Sequence, residues 1–296
     1  MDNKQTENHA LKYHEEFQAL QLYDDFLFSK VMGDPEICRI TLEKILDIPI
    51  REVRVPTTEH VINLLHGSRG VRLDVYVADE AGNVYNCEMQ AGRNVGQLPR
   101  RSRYYHGCID LDLLMKGMHY KELTKAFVIF ICTADPFGQG RHIYTFRNVC
   151  DEVPGLLLGD ESCTIFLNTK GTTDDVSAEV KEFLRYVEDS TDTFAEEAES
   201  EWVKQVHRQV RKVKENTSLE VEFMTLNMKY AEILEEGWEG GREESAHDIN
   251  RLISYLLKNN MHAEMERSIS DRSYQMELLQ KYHDQLVVAD GAVAYR

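Results

Sequence analysis

No stretch of about 18 apolar residues occurs in the 296-residue chain, so the sequence offers no membrane-spanning helix. The longest apolar run, Ala126 to Cys132, has the length of a strand. Six cysteines (38, 87, 108, 132, 150 and 163) form no CxxC or Cys/His ladder, which argues against a structural zinc site. Buried free thiols in a reducing compartment are the plain expectation. The eleven histidines make no HExxH or HxH pattern, and no glycine-rich segment has the context of a phosphate loop. The first residues, MDNKQTENHALKYHEEF, contain no apolar signal core, and a cytoplasmic location is expected. Basic residues are in deficit, with 34 Lys+Arg against 51 Asp+Glu and a net charge of −17. That balance argues against a protein that coats nucleic acid non-specifically, since phosphate binding relies on Lys and Arg. It leaves room for an enzyme with a local basic patch, because acids gathered to hold metal ions themselves lower the net charge.

What is present is a globular composition, 42% hydrophobic and 29% charged. Residues 1–15 are polar and expected to be loosely ordered. A helical pattern runs from Phe17 to Leu46, broken at Gly33-Asp34-Pro35, and Val53 to Val61 reads as extended and irregular. His66 to Gly70 reads as a loop. Two strands follow, Val71–Val77 and Val84–Gln90, joined by a turn. A helix over 100–116, a central strand over 126–132, and strands over 143–148 and 162–168 complete an α/β core with a mixed sheet. Beyond Asp174 the pattern is helical. Val203, Val206, Val210 and Val213 make an apolar seam, Gly237, Gly240 and Gly241 interrupt, and helices over 249–258 and 273–286 follow. This gives a flexible N-terminus (1–15), an α/β domain (16–180) and an all-helical C-terminal region (181–296).

The hairpin carries the chemistry. Glu80-Ala81-Gly82 suits a three-residue connection, with glycine where a positive φ is needed. In that register Val77 faces Tyr85 and Asp74 faces Glu88. Directly opposed residues project from the same sheet face with Cβ atoms roughly 4.5–5.5 Å apart. Gln90, two residues on, shares their face, while Leu73, Val75, Val77, Tyr85, Cys87 and Met89 form the opposite, core face. Two opposed carboxylates repel, and a divalent cation is one way to compensate them. The same alternation also describes an ordinary solvent-facing sheet surface.

The spacing D-x13-E-x-Q, each acid within an apolar strand, resembles the core of the PD-(D/E)xK nuclease superfamily. Within it, the blocks DDFLFSKVMG, VRLDVYV, VYNCEMQ, RRSRYYHGCID, LMKGMHYKEL and FVIFICTADPF resemble, in order, the recombination-promoting nuclease (Rpn) and transposase-like family. The resemblance spans about residues 20–170, and the Glu- and Gly-rich tail EEGWEGGREE is also similar. It implies a restriction-endonuclease-like fold and a Mg²⁺-dependent DNA endonuclease, with Mn²⁺ or Ca²⁺ as alternative ions. Asp74 and Glu88 would be direct metal ligands, the backbone carbonyl of Met89 a third, and Gln90 would align a water. Asp25 matches the acid of the family's first helix, and reads equally well as a helix-dipole residue.

One departure stands out. The superfamily's lysine position holds Gln90, which brings no positive charge. Arg101 is the candidate replacement. Arg101 and Tyr105 share one helix face, and with Arg103 they are expected to meet DNA phosphate, although core packing is the simpler reading of Tyr105. Residues 93–125 carry seven basic side chains against three acidic ones, a plausible backbone-binding strip. A second basic stretch, Lys204 to Lys214, reads more simply as a solvated helix face. The rival expectation is a catalytically weak DNA-binding or protein-interaction module. In that reading, as in a dimeric nuclease, the C-terminal helices would assemble copies of the chain.

Overall fold

The computed structural model describes residues 3–54, 57–62, 71–92, 95–115, 119–258, 261, 264–265, 267–268 and 271–282. The chain divides into two compact units, Met1–Phe223 and Met224–Arg296. The first begins with helices α1 (Asn3–Ala19), α2 (Asp25–Met32) and α3 (Pro35–Leu46). Residues 3–15, expected to be loose, lie in this helix, and its last turn buries Phe17 against Phe26 and Phe223. The break between α2 and α3 lies at Gly33-Asp34-Pro35. There Asp34 caps α3 by accepting from the Glu36 and Ile37 N–H groups, and Pro35 opens the helix.

A six-stranded sheet follows: β1 (Thr57–Ile62), β2 (Val71–Ala78), β3 (Val84–Gln90), β4 (Ala126–Cys132), β5 (Ile143–Phe146) and β6 (Ser162–Asn168). The spatial order is β1-β2-β3-β4-β6-β5. β3, β4 and β6 are parallel, and the outer pairings are antiparallel. The α/β fold with a mixed sheet is therefore as the sequence indicates. β1 was not: its TTEHVI is hardly alternating, and it becomes a strand by pairing with β2 at the sheet edge. The expected loop His66 to Gly70 lies outside the described residues.

β4 is buried on every residue, since both sheet faces are covered. On one face Val75, Val77, Tyr85, Cys87, Met89, Ile129 and Ile165 pack with α2, α3 and the helices α5 (Ala178–Glu188) and α7 (Glu201–Lys214). On the other, Val84, Val128, Phe130 and Phe166 pack with Leu98, Tyr105, Cys108 and Ile109 of α4 (Leu98–Met115). Leu73 belongs to this second group, contrary to simple alternation. It lies beyond Val75↔Cys87, the last β2–β3 backbone pair, while still pairing with His60 of β1.

The valine seam lies inside the first unit. Val203, Val206, Val210 and Val213 are all buried in the cluster under the sheet, and Trp202 stacks on Phe183 and donates to Thr41. The seam that motivated assembly of copies is thus covered by the chain's own core. The expected domain boundary at 180/181 falls within this unit, at α5. The short α6 (Asp192–Glu197) precedes α7. α8 (Thr217–Lys258) runs through Gly237, Gly240 and Gly241 without a break. Each glycine costs about 1 kcal/mol relative to alanine in a helix, and strong helix formers flank all three. In the second unit Leu252, Leu256 and Leu278, the last from α9 (Arg272–Lys281), form a small apolar cluster. Residues 283–286 of the expected final helix lie outside the described residues. All six cysteines are free, and five are buried.

The β2–β3 turn fixes the register of the site. Gly82 has φ +83°, its N–H donates to Asp79 O, and Asp79 N–H donates to Asn83 O. The Asp79 carboxylate accepts from the backbone N–H groups of Ala81 and Asn83, from Asn83 Nδ2 and from the Tyr85 hydroxyl. A Cβ at position 82 would meet only Thr124 at ordinary contact distance. Gly82→Ala should therefore cost roughly 1 kcal/mol through its φ alone. Urea denaturation would check this, and an unchanged midpoint would contradict it.

Candidate active site

The hairpin register delivers the acids. Val77 pairs with Tyr85, Tyr76 with Asn86, and Val75 with Cys87. At the next position the side chains take over from the backbone ladder. Asp74 N–H donates to Glu88 Oε1 at 3.1 Å, and Met89 N–H donates to Asp74 Oδ2 at 3.2 Å. The two carboxylates thus cross between neighbouring strands, each anchored on the other strand's or its neighbour's amide. The side chain of Met89 is buried in the core, so only its backbone reaches this corner.

From α4, Arg101 closes the cluster. Its Nη1 donates to Gln90 Oε1 at 2.6 Å and its Nη2 to Glu88 Oε2 at 3.2 Å. Nε and Nη2 both donate to the Tyr105 hydroxyl, at 3.2 and 2.7 Å. The guanidinium also lies over the rings of Tyr105 and Phe130, 5.4 and 5.7 Å from their centroids. Tyr105 is packed in the core, the simpler of its two expected roles, and its hydroxyl also takes on one that was not expected, holding Arg101. Glu88's side chain is 2% exposed and Arg101's 38%, so the cluster has a buried floor and an open cationic rim.

The electrostatics follow from this crowding. Burial, then the charge of Glu88, then that of Asp25 raise the Asp74 pKa to about 7, against the pull of Met89 N–H and Arg101. Glu88 is raised chiefly by burial, opposed by Asp74 N–H and by Arg101. Asn86, fully buried two residues before Glu88, was missed in the sequence reading. It lies near enough to lower the Glu88 pKa, yet its amide makes no hydrogen bond of ordinary geometry among the described residues. The signal for it was its place on the acids' face of β3.

Asp25 is exposed in the first turn of α2, and its charge acts on Asp74. Arg103 is exposed and stands about 200° round the helix from Arg101, so it does not join the cluster. In the wider basic strip, Arg100 and Lys121 are exposed and Lys125 faces Glu161 at 3.7 Å; Arg93 and Lys116 lie outside the described residues. Along α7, Arg208 and Arg211 are paired with Glu201 and Glu215, as a solvated face requires.

Among the described residues, no group of three or more His, Cys, Asp or Glu is gathered to hold a metal ion. The corner offers instead two carboxylates, beside which the resemblance would add the Met89 carbonyl. That donor set fits a small hard cation such as Mg²⁺, which takes few protein ligands and keeps its waters. Burial and the charge of Glu88 raise Asp74 further than Arg101 and the Met89 N–H lower it.

A mixed sheet flanked by helices, with acids on adjoining central strands and an Arg/Tyr helix beside them, defines a restriction-endonuclease-like α/β fold. The chain belongs to the PD-(D/E)XK nuclease family transposases, whose family model matches residues 22–255. Comparison with curated proteins and with solved structures gives no match. Among the described residues no helix is long and apolar enough to cross a membrane.

The Asp74 shift has a sign that can be checked without metal. A carboxyl whose folded pKa is raised contributes stability that is fully present below its unfolded pKa, near 3.9. That contribution is lost as pH rises through about 7. Asp74→Asn keeps an acceptor for Met89 N–H and cannot ionise. At pH 8 without metal, the variant should melt on the order of 10 °C above wild type, the gap closing towards pH 4. A gap independent of pH would contradict the shift.

Proposed function

We propose that this protein is a metal-dependent DNA endonuclease that hydrolyses phosphodiester bonds, with Mg²⁺ as its ion and Mn²⁺ as the natural substitute. The observation that carries the reading is the meeting of Asp74 and Glu88 at the end of the β2–β3 ladder, each held by a backbone amide. Asp74, Glu88 and the Met89 carbonyl would hold the ion. When bound, Mg²⁺ supplies an activated water and neutralises charge on the phosphate. The protein's own residues do the rest. The backbone amides hold the two carboxylates in one orientation. Arg101, anchored on Tyr105, presents a guanidinium at the rim to a phosphate oxygen that gains charge in the transition state. Asp25, whose charge acts on Asp74, would assist a water or a second ion.

Membership of a transposase family makes DNA the substrate of choice, and the biological setting we propose is recombination or defence against foreign DNA. The location proposed is the cytoplasm. A second reading, a DNA-binding module with little catalysis, is favoured by one observation: Gln90 stands where the superfamily has lysine.

Plasmid nicking in Mg²⁺ separates the two. The wild type should cut. Asp74→Ala and Glu88→Ala should each lose more than about 100-fold, the upper end of what removing a partner outside the ligand shell costs. Both should keep their fold by circular dichroism. DNA binding without any cleavage by the wild type would favour the binding module, and folded variants that cut normally would remove these acids from the site.

A further inference from the structure

The residue in the lysine position is engaged at both ends of its amide. Gln90 Oε1 accepts from Arg101 Nη1 at 2.6 Å, and Nε2 donates to Ala91 O at 3.2 Å. This differs from the expectation that Gln90 aligns a water. Arg101 in turn is fixed by Gln90, Glu88 and Tyr105, which take four of the five guanidinium N–H groups among the described residues. The remaining Nη1 hydrogen and a 38% exposed side chain leave it able to meet a substrate oxygen.

We propose that Gln90 is a positioning residue for Arg101, and that the pair brings from α4 the positive charge that a lysine at position 90 would bring from β3. The inference rests on the nuclease reading. It explains why the position holds a neutral acceptor. A lysine would repel the guanidinium, and a glutamate would add a third carboxylate beside Asp74 and Glu88. Glutamine accepts an N–H without adding charge. The planar guanidinium gains a fixed orientation from three acceptors and an aromatic floor. Fixed donors aimed at developing charge are what stabilises such transition states.

The test is a charge relocation. Plasmid cleavage in Mg²⁺ is compared for wild type, Gln90→Ala, Arg101→Ala and the double variant Gln90→Lys with Arg101→Ala. Arg101→Ala should lower kcat by roughly 10²–10³-fold, the range for losing one oxyanion donor. Gln90→Ala should also lower kcat, with KM close to wild type. The double variant should recover at least tenfold over Arg101→Ala. A double variant no better than Arg101→Ala, or Gln90→Ala at wild-type rate, overturns the proposal while leaving the nuclease reading standing. A wild type inactive in both Mg²⁺ and Mn²⁺ counts against the nuclease reading instead. The pair is then judged by metal-free denaturation of Gln90→Ala, Arg101→Ala and their combination. Non-additive midpoints support the shared bond, and additive ones overturn it.

Discussion

Two negative charges on adjoining strands, one of them almost wholly buried, set the constraint around which this molecule is arranged. Burial raises the pKa of both carboxyls, and the charge of Glu88 raises that of Asp74 further. The protein answers with partial compensation: two backbone amides, one arginine and a tyrosine hydroxyl that holds the arginine. Compensation is incomplete, and under the proposed function a divalent cation would make up the remaining deficit. A fully neutralised pair would be a better fold element and a poorer metal site.

The rest of the first unit serves the placement of these groups. The parallel strands β3, β4 and β6 are covered on both faces, so the strand that carries Glu88 and Gln90 cannot shift against its neighbours without disturbing two cores. The tight turn at Gly82 sets β2 against β3 and thereby chooses the partner of Glu88. α4 packs on the sheet through Leu98, Tyr105, Cys108 and Ile109, which aims Arg101 at the acids from above. The ring of Phe130, on β4, links that packing to the site, since it lies under both Tyr105 and Arg101. Position, charge and burial at the corner are therefore properties of the packed sheet and not of a loop.

Much of this was legible in the chain because it is encoded locally. The apolar run Ala126 to Cys132 marks a strand buried on both sides, and Glu80-Ala81-Gly82 fixes a register from which the Asp74–Glu88 meeting follows by counting. What escaped depends on tertiary contacts. β1 becomes a strand only by pairing with β2. Leu73 joins the cluster on the α4 side through its tertiary contacts, contrary to its alternation. The Val203–Val213 seam has a helix's apolar face without any mark of what covers it, and the structure covers it with the chain's own core. The hydrogen bond from Arg101 to Gln90 joins α4 to β3, and no spacing rule connects residues 90 and 101. Arg103, two residues on from Arg101, is exposed on another face of α4 and takes no part in the acid cluster.

Family membership fixes the architecture and the class of chemistry, while the ion and its ligands rest on the physics of one corner. The most direct test is calorimetric titration of the metal-free protein with Mn²⁺ and with Mg²⁺, for wild type and Asp74→Ala at neutral pH. The account predicts saturable binding to the wild type and its loss in the variant. Equal binding by both proteins, or no binding by a folded wild type, would contradict it.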